Sequence, residues 1–272
     1  MLLSSNAGDP VGGTSAWVGR LRKGPDAVAV LVAPMLIGED ERMTTTLITG
    51  ANKGLGHHTA RRLIEAGHTV FLGARNPERG AEAADAIGAT FVQLDVTDDA
   101  SVAAAIDTIG AAGGLDVLIN NAGVAGDPGA PADVTTDDLR RVYETNVFGV
   151  VRVTHAALPL LQRSAAPVIV NVSSGLGSLG VTTDPERFES KFPVLAYGSS
   201  KTAVVALTVQ YAKALPQIRI NAVDPGYTAT DLNGNSGPQS LDEGTDAMVR
   251  LATIGPDGPT GRFFDRNGVV PW

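Results

Sequence analysis

Thr44-Thr45-Thr46-Leu47-Ile48-Thr49-Gly50-Ala51-Asn52-Lys53-Gly54-Leu55-Gly56, residues 44–56, is the stretch on which the reading of the fold turns. The β-branched run Thr45 to Thr49 predicts a short strand, and Gly54 to Ala66 predicts a helix. Between them Gly50, Gly54 and Gly56 fall in a Gly-x-x-x-Gly-x-Gly spacing. Gly50 permits a tight turn, and Gly54 and Gly56 let the backbone approach both a pyrophosphate and the sheet. The N-terminus of the helix then offers free N–H groups to the anion. With Asn52, Lys53 and Leu55 these residues form a candidate phosphate loop. A merely structural strand-to-helix turn would use the same glycines, so the surrounding pattern has to decide between the two.

Outward from this unit the alternation continues. Strands are expected at Thr69 to Leu72, Thr90 to Leu94, Val117 to Asn120, Val168 to Val172 and Arg219 to Val223, with a weaker one at Arg262 to Phe264. Helices are expected near 78–87, 99–109, 136–162 and 196–214. Alternating strand and helix implies a parallel sheet with helices on both faces. The expected class is therefore α/β, a Rossmann-type doubly wound sheet in three α/β/α layers, as one domain over 43–272. The chain has 272 residues, 43% of them hydrophobic, enough for one substantial core.

Residues 1–42 differ in character. Basic Arg20, Arg22 and Lys23 precede an apolar run from Ala27 to Ile37, but Asp26 and Pro34 interrupt it and no cleavage pattern follows, so a signal sequence is rejected. Met43 stands directly before the first strand. Residues 1–42 are accordingly expected to be an N-terminal extension, disordered or the product of an upstream start. A net charge of −8 argues against nucleic acid or an anionic membrane as the main partner. The absence of Cys excludes disulfides, thiol nucleophiles and Cys-ligated zinc, and fits a cytoplasmic location.

Tyr197 and Lys201 stand four residues apart, on one face of a helix, with Ser174 upstream. A phenol titrates near pH 10, so Lys201 is expected to lower it, which over two to three units takes about 3–4 kcal/mol. Ser174 follows a buried-looking strand, which puts its hydroxyl at the carboxyl edge of the sheet, where open α/β sheets bind ligands. Ser173 competes for that role; since side chains alternate along a strand, only one of the two faces the cleft. At the end of the second strand, Gly73-Ala74-Arg75 lacks the carboxylate that usually holds an unphosphorylated ribose. Arg75, with Lys53, supplies cations for a 2′-phosphate, so NADP(H) is favoured over NAD.

These motifs, in this order, resemble those of the short-chain dehydrogenase/reductase family across about 44–270. The resemblance implies that Asp95, followed by Val96, contacts the adenine, and that Asn120-Asn121-Ala122-Gly123 stabilises a strand and walls the cofactor. It makes Asn146, Ser174, Tyr197 and Lys201 the catalytic set, Asn146 anchoring a relay water and the second Ser of the pair being the active one. Pro225-Gly226 is then the turn beside the nicotinamide, with Thr228 and Thr230 beyond it. The family's chemistry is carbonyl–alcohol interconversion by hydride transfer, Tyr197 serving as general acid/base. Thr182 to Phe192 looks like an insertion before Tyr197, similar to the carbonyl-reductase-like branch. It leaves a monomer or a small homo-oligomer open.

Rival readings are weaker. His57 and His58 diverge by about 100° on a helix, so no metal site is expected. Ser174 lacks a Gly-x-Ser-x-Gly elbow and a placed His, which sets aside a hydrolase. An NAD-linked alcohol dehydrogenase and a non-catalytic NADP-sensing protein remain as alternatives. The apolar Leu176, Leu179, Phe192, Tyr227 and Leu232 point to a small-molecule carbonyl substrate of moderate hydrophobicity.

Overall fold

The computed structural model describes residues 43–127 and 129–272; the extension expected at 1–42 lies outside the described residues. In chain order the elements are β1 (Thr45–Ile48), α1 (Gly54–Glu65), β2 (Thr69–Ala74), α2 (Pro77–Asp85), β3 (Thr90–Gln93), α3 (Asp99–Ala111) and β4 (Val117–Asn120). Then follow α4 (Thr136–Tyr143), α5 (Gly149–Leu161), β5 (Val168–Val172), α6 (Leu179–Thr182), α7 (Leu195–Ala214), β6 (Arg219–Val223), α8 (Leu241–Ala252) and β7 (Phe263–Phe264). Among the described residues seven strands pair in the order β3-β2-β1-β4-β5-β6-β7, all parallel.

The central strands are buried along their whole length because helices cover both faces. Side chains alternate across the sheet. Leu47, Leu118, Ile169 and Ile220 face a core shared with Ile106 and Ile109 of α3 and Val153, Ala157 and Leu161 of α5. Ile48, Ile119, Val170 and Val223 face the opposite core, with Ala60 and Leu63 of α1 and Met248 and Leu251 of α8. Each fully buried Leu or Ile contributes about 1.5–3 kcal/mol, so both layers are held by transfer of apolar surface from water.

Two expectations change. The helix expected over 136–162 is two helices, α4 and α5, separated by a π turn at Glu144–Phe148. No helix was expected beyond 214, yet α8 forms there on a Ser240–Glu243 capping box. That helix packs on α1. Arg62 donates to the Asp242 carbonyl, the Thr245 hydroxyl and Asp246, each at 2.9 Å. His58 meets Asp242 at 2.7 Å, while His57 points away to the Ala83 carbonyl at 3.1 Å. Among the described residues no helix is long and apolar enough to cross a membrane.

Candidate active site

The strand order reverses between β1 and β4, which opens a crevice beyond the carboxyl ends of the strands. Every expected motif meets this edge. After β1 the chain turns at Gly50, whose φ of +63° suits glycine, and enters α1. A Cβ on Gly56 would lie 2.5 Å from Asn121 Nδ2, so only glycine allows the helix to approach this closely. The first turn of α1 has no acidic residue, and its N-cap Lys53 makes no side-chain capping bond. Its N–H groups therefore present a positive terminus to an anion.

Thr49, read from the sequence only as the end of a strand, is the joint between this turn and β4. Its Oγ1 accepts from the Asn121 and Ala122 N–H groups, each at 3.0 Å. Asn121 Nδ2 returns bonds to the Thr49 and Gly50 carbonyls at 2.8 and 3.1 Å. Asn120 points inward instead, to Asn171 Oδ1 at 2.8 Å. Gly123 comes next, where an added Cβ would lie 3.5 Å from Lys201 Nζ and 3.4 Å from Asn146 Oδ1.

Asn146 sits in the π turn, buried. Its Nδ2 donates to the Val124 carbonyl at 2.9 Å and the Ser200 hydroxyl at 3.0 Å, and its Oδ1 accepts from the Val124 N–H at 2.8 Å. Both N–H donors are taken by protein, and only Oδ1 keeps a lone pair for water.

At the end of β5 the two serines separate as strand alternation requires. Ser173 is buried and donates to the Lys201 carbonyl at 2.9 Å. Ser174 faces the cleft, accepts from the Leu176 N–H at 3.3 Å and hydrogen-bonds the Tyr197 phenol. Lys201, 4% exposed, donates to the Val172 carbonyl at 2.8 Å with its Nζ 5.7 Å from the centroid of the Tyr197 ring.

The electrostatics run against the expectation for the phenol. Tyr197 keeps some surface open to the cleft, yet burial of its hydroxyl pushes the pKa up to about 12. The Asp224 carboxylate adds to the rise and the Ser174 hydrogen bond opposes it. Burial also pushes Lys201 down to about 8. Desolvation of both groups outweighs the lowering that was expected from the ammonium.

The cofactor residues divide. Arg75 is exposed directly beyond β2, with no ion pair among the described residues. Lys53 Nζ instead pairs with Asp231 Oδ2 at 3.0 Å. Thr230 lies against the glycine turn, 3.8 Å from where a Cβ on Gly54 would be, and Leu55 and Thr228 pack together under Gly244 of α8. The Thr228 hydroxyl donates to the Pro225 carbonyl at 2.9 Å, within its own turn. Asp95 accepts from the N–H and hydroxyl of Thr97 at 2.9 and 2.7 Å, which caps its local turn, and the Val96 carbonyl accepts from Arg152 at 2.6 Å.

Two acidic residues escaped the sequence reading. Asp224 ends β6 beside Pro225-Gly226, and Glu189 lies in a 3-10 turn (Phe188–Lys191) of the insertion. The signal for Asp224 was a carboxylate directly after the apolar Ala222-Val223 pair. Above them, Phe188 contacts Phe192 and Tyr227, with ring centroids 4.6 and 5.8 Å apart. The insertion and the loop after Gly226 thus share an exposed aromatic wall.

The chain matches the family model described as short chain dehydrogenase over residues 44–241. It is 35% identical to (−)-isopiperitenone reductase of Mentha piperita, covering 82% of this chain and 96% of that one. It is 31% identical to NADPH carbonyl reductase 1 of Bos taurus, covering 83% and 97%. The structure of NADPH-bound carbonyl reductase from chicken fatty liver superposes with a TM-score of 0.76 at 29% identity, covering 85% and 100%. The chain belongs to the short-chain dehydrogenase/reductase family, in its carbonyl-reductase-like branch.

Proposed function

We propose that the protein is an NADP(H)-dependent oxidoreductase that interconverts a ketone or aldehyde and the corresponding alcohol. The observation that carries this reading is the meeting of Ser174, Tyr197 and Lys201 at the sheet edge, beside an uncapped helix terminus and an exposed Arg75. The residues fit the dinucleotide. The N–H groups at the uncapped start of α1 offer donors for the pyrophosphate, Gly50 and Gly56 let that turn pack closely on Ala122 and Asn121, and Arg75 offers a cation for the 2′-phosphate. When bound, the nicotinamide supplies a hydride to the carbonyl carbon.

Ser174 donates a hydrogen bond to the substrate oxygen, and Tyr197 delivers the proton to it, giving the alcohol. A phenol at about 12 is fully protonated at neutral pH, which is the form reduction consumes. Lys201, anchored on the Val172 carbonyl, holds its charge near the Tyr197 ring and binds the nicotinamide ribose. Asn146 keeps the backbone at Val124 in place and offers its free lone pair to a relay water. The aromatic wall of Phe188, Phe192 and Tyr227 favours a carbonyl compound with an apolar body.

The test is NADPH consumption across aldehydes, cyclic ketones, quinones and steroids, with wild type and Tyr197→Phe. At least one class should be reduced, and Tyr197→Phe should lose about 10²–10⁴-fold in turnover while still binding NADPH. No reduction across the panel, or unchanged turnover in the variant, refutes the reading.

A further inference from the structure

Asp224 is a buried carboxylate for which the proposed reaction has no use. It is 7% exposed at the end of a strand whose preceding residues, Ala222 and Val223, are fully buried and apolar. A carboxylate in such a place is costly unless its oxygens are satisfied. Here both are. Oδ1 accepts from the Gly226 N–H at 2.9 Å, and the carboxylate accepts a second bond from the Gly175 N–H. A Cβ on Gly175 would lie 2.9 Å from Oδ2, which places that oxygen over Gly175.

We propose that Asp224 is a positioning residue of the reaction: its carboxylate ties the turn that carries Ser174 to the turn that carries Gly226, and sets a negative charge beside the Tyr197 phenol. This rests on the reading of Ser174 and Tyr197 given above. The two bonds make the hydroxyl that orients the substrate oxygen and the backbone proposed to flank the nicotinamide move as one body. Asp224 N–H also bonds the Phe264 carbonyl at 2.7 Å, which anchors the clamp to β7.

The charged groups around it come from three further elements. Tyr197 faces it from α7, Glu189 from the insertion, and Asp265 from beyond β7. Glu189 is itself paired with Arg187 at 3.5 Å. Burial first, then Glu189 and Asp265, raise the Asp224 carboxyl, and the two backbone N–H bonds counter that rise. Its charge in turn adds to the rise that burial gives the Tyr197 phenol.

The experiment is Asp224→Asn, assayed in both directions with NADP(H) and the panel carbonyl reduced fastest, paired with its alcohol. The variant keeps the size of the side chain, loses the charge, and sets an NH₂ group against one of the two backbone donors. Turnover in reduction should fall about tenfold with the NADPH KM little changed. The acid limb of alcohol oxidation, which reports formation of the phenolate, should move about one pH unit lower. Asp224→Ser, which removes the charge without opposing an N–H to an N–H, serves if the Asn variant does not fold, as judged by NADPH binding.

Wild-type turnover and pH profile in a folded variant overturn the proposal. So does lost turnover with the acid limb unmoved, which would leave Asp224 a structural residue only. If Tyr197→Phe is inactive while the Asp224 variants behave as wild type, this inference alone fails. If Tyr197→Phe is active, the underlying reading fails first.

Discussion

Replacing Lys201 by Met should stabilise the protein at neutral pH while abolishing turnover. The ammonium is buried, and burial lowers its pKa from 10.5 to about 8. A folded pKa below the unfolded one means that the unfolded chain binds more protons between those two values. Stability therefore rises with pH through that window, and the full penalty is present below it. Near pH 7 the penalty is about 3 kcal/mol. Methionine removes it, but leaves the Val172 carbonyl without the 2.8 Å bond from Nζ. An unpaired buried carbonyl costs about 1–2 kcal/mol. The net gain near pH 7 is then about 1–2 kcal/mol, or roughly 2–8 °C in Tm. Near pH 9.5 the wild-type lysine is already neutral when folded, and the gain should shrink by about 2 kcal/mol. Urea unfolding followed by circular dichroism at both pH values, without added cofactor, measures the two differences. A variant less stable than wild type near pH 7, or the same difference at both pH values, would refute the reasoning.

Arg75→Asp should lower kcat/KM for NADPH by about 10–100-fold and leave NADH unaffected or improved, because the exposed cation would become a charge that repels the 2′-phosphate. Asp231→Asn should lower the NADPH KM about two- to fivefold with no change for NADH, since it frees Lys53 from a surface pair of modest strength; equal effects on both cofactors would show that Lys53 does not serve the 2′-phosphate. Gly56→Ala should cost about 1–3 kcal/mol in thermal unfolding and weaken NADPH binding, because its Cβ would sit 2.5 Å from Asn121 Nδ2 and 3.0 Å from the Gly50 carbonyl.

The parallel sheet was legible in the sequence because its strands are buried on both faces and so read as short apolar runs between glycine turns, as at Val117–Asn120 and Val168–Val172. The last helix went unread although it carries ordinary helix signals, the Ser240–Glu243 capping box and the buried Met248 and Leu251; at Gly244 it lies close on Thr228 and Leu55. The π turn between α4 and α5, by contrast, has no local mark. It occurs where Asn146 bonds the backbone of Val124, 22 residues away, a contact that no helical period carries.

At the candidate site, the directions of side chains could be inferred but the sign of the electrostatics could not. Alternation along β5 separates Ser173 from Ser174, and the structure sends the first to the Lys201 carbonyl and the second to the phenol. The spacing of Tyr197 and Lys201 puts an ammonium near a ring, from which a lowered phenol follows if Coulomb attraction dominates. Whether it dominates depends on how much water each group has lost and which other charges face it. Those are supplied by Asp224 from β6, and by the packing of α7 over Gly177, where a Cβ would lie 2.7 Å from the Lys201 backbone. Desolvation raises the phenol and lowers the ammonium, so in this fold the pair rests as neutral phenol and a weakened cation. That resting state is poised to give a proton to a carbonyl oxygen, and it must lose one before the reverse reaction can begin.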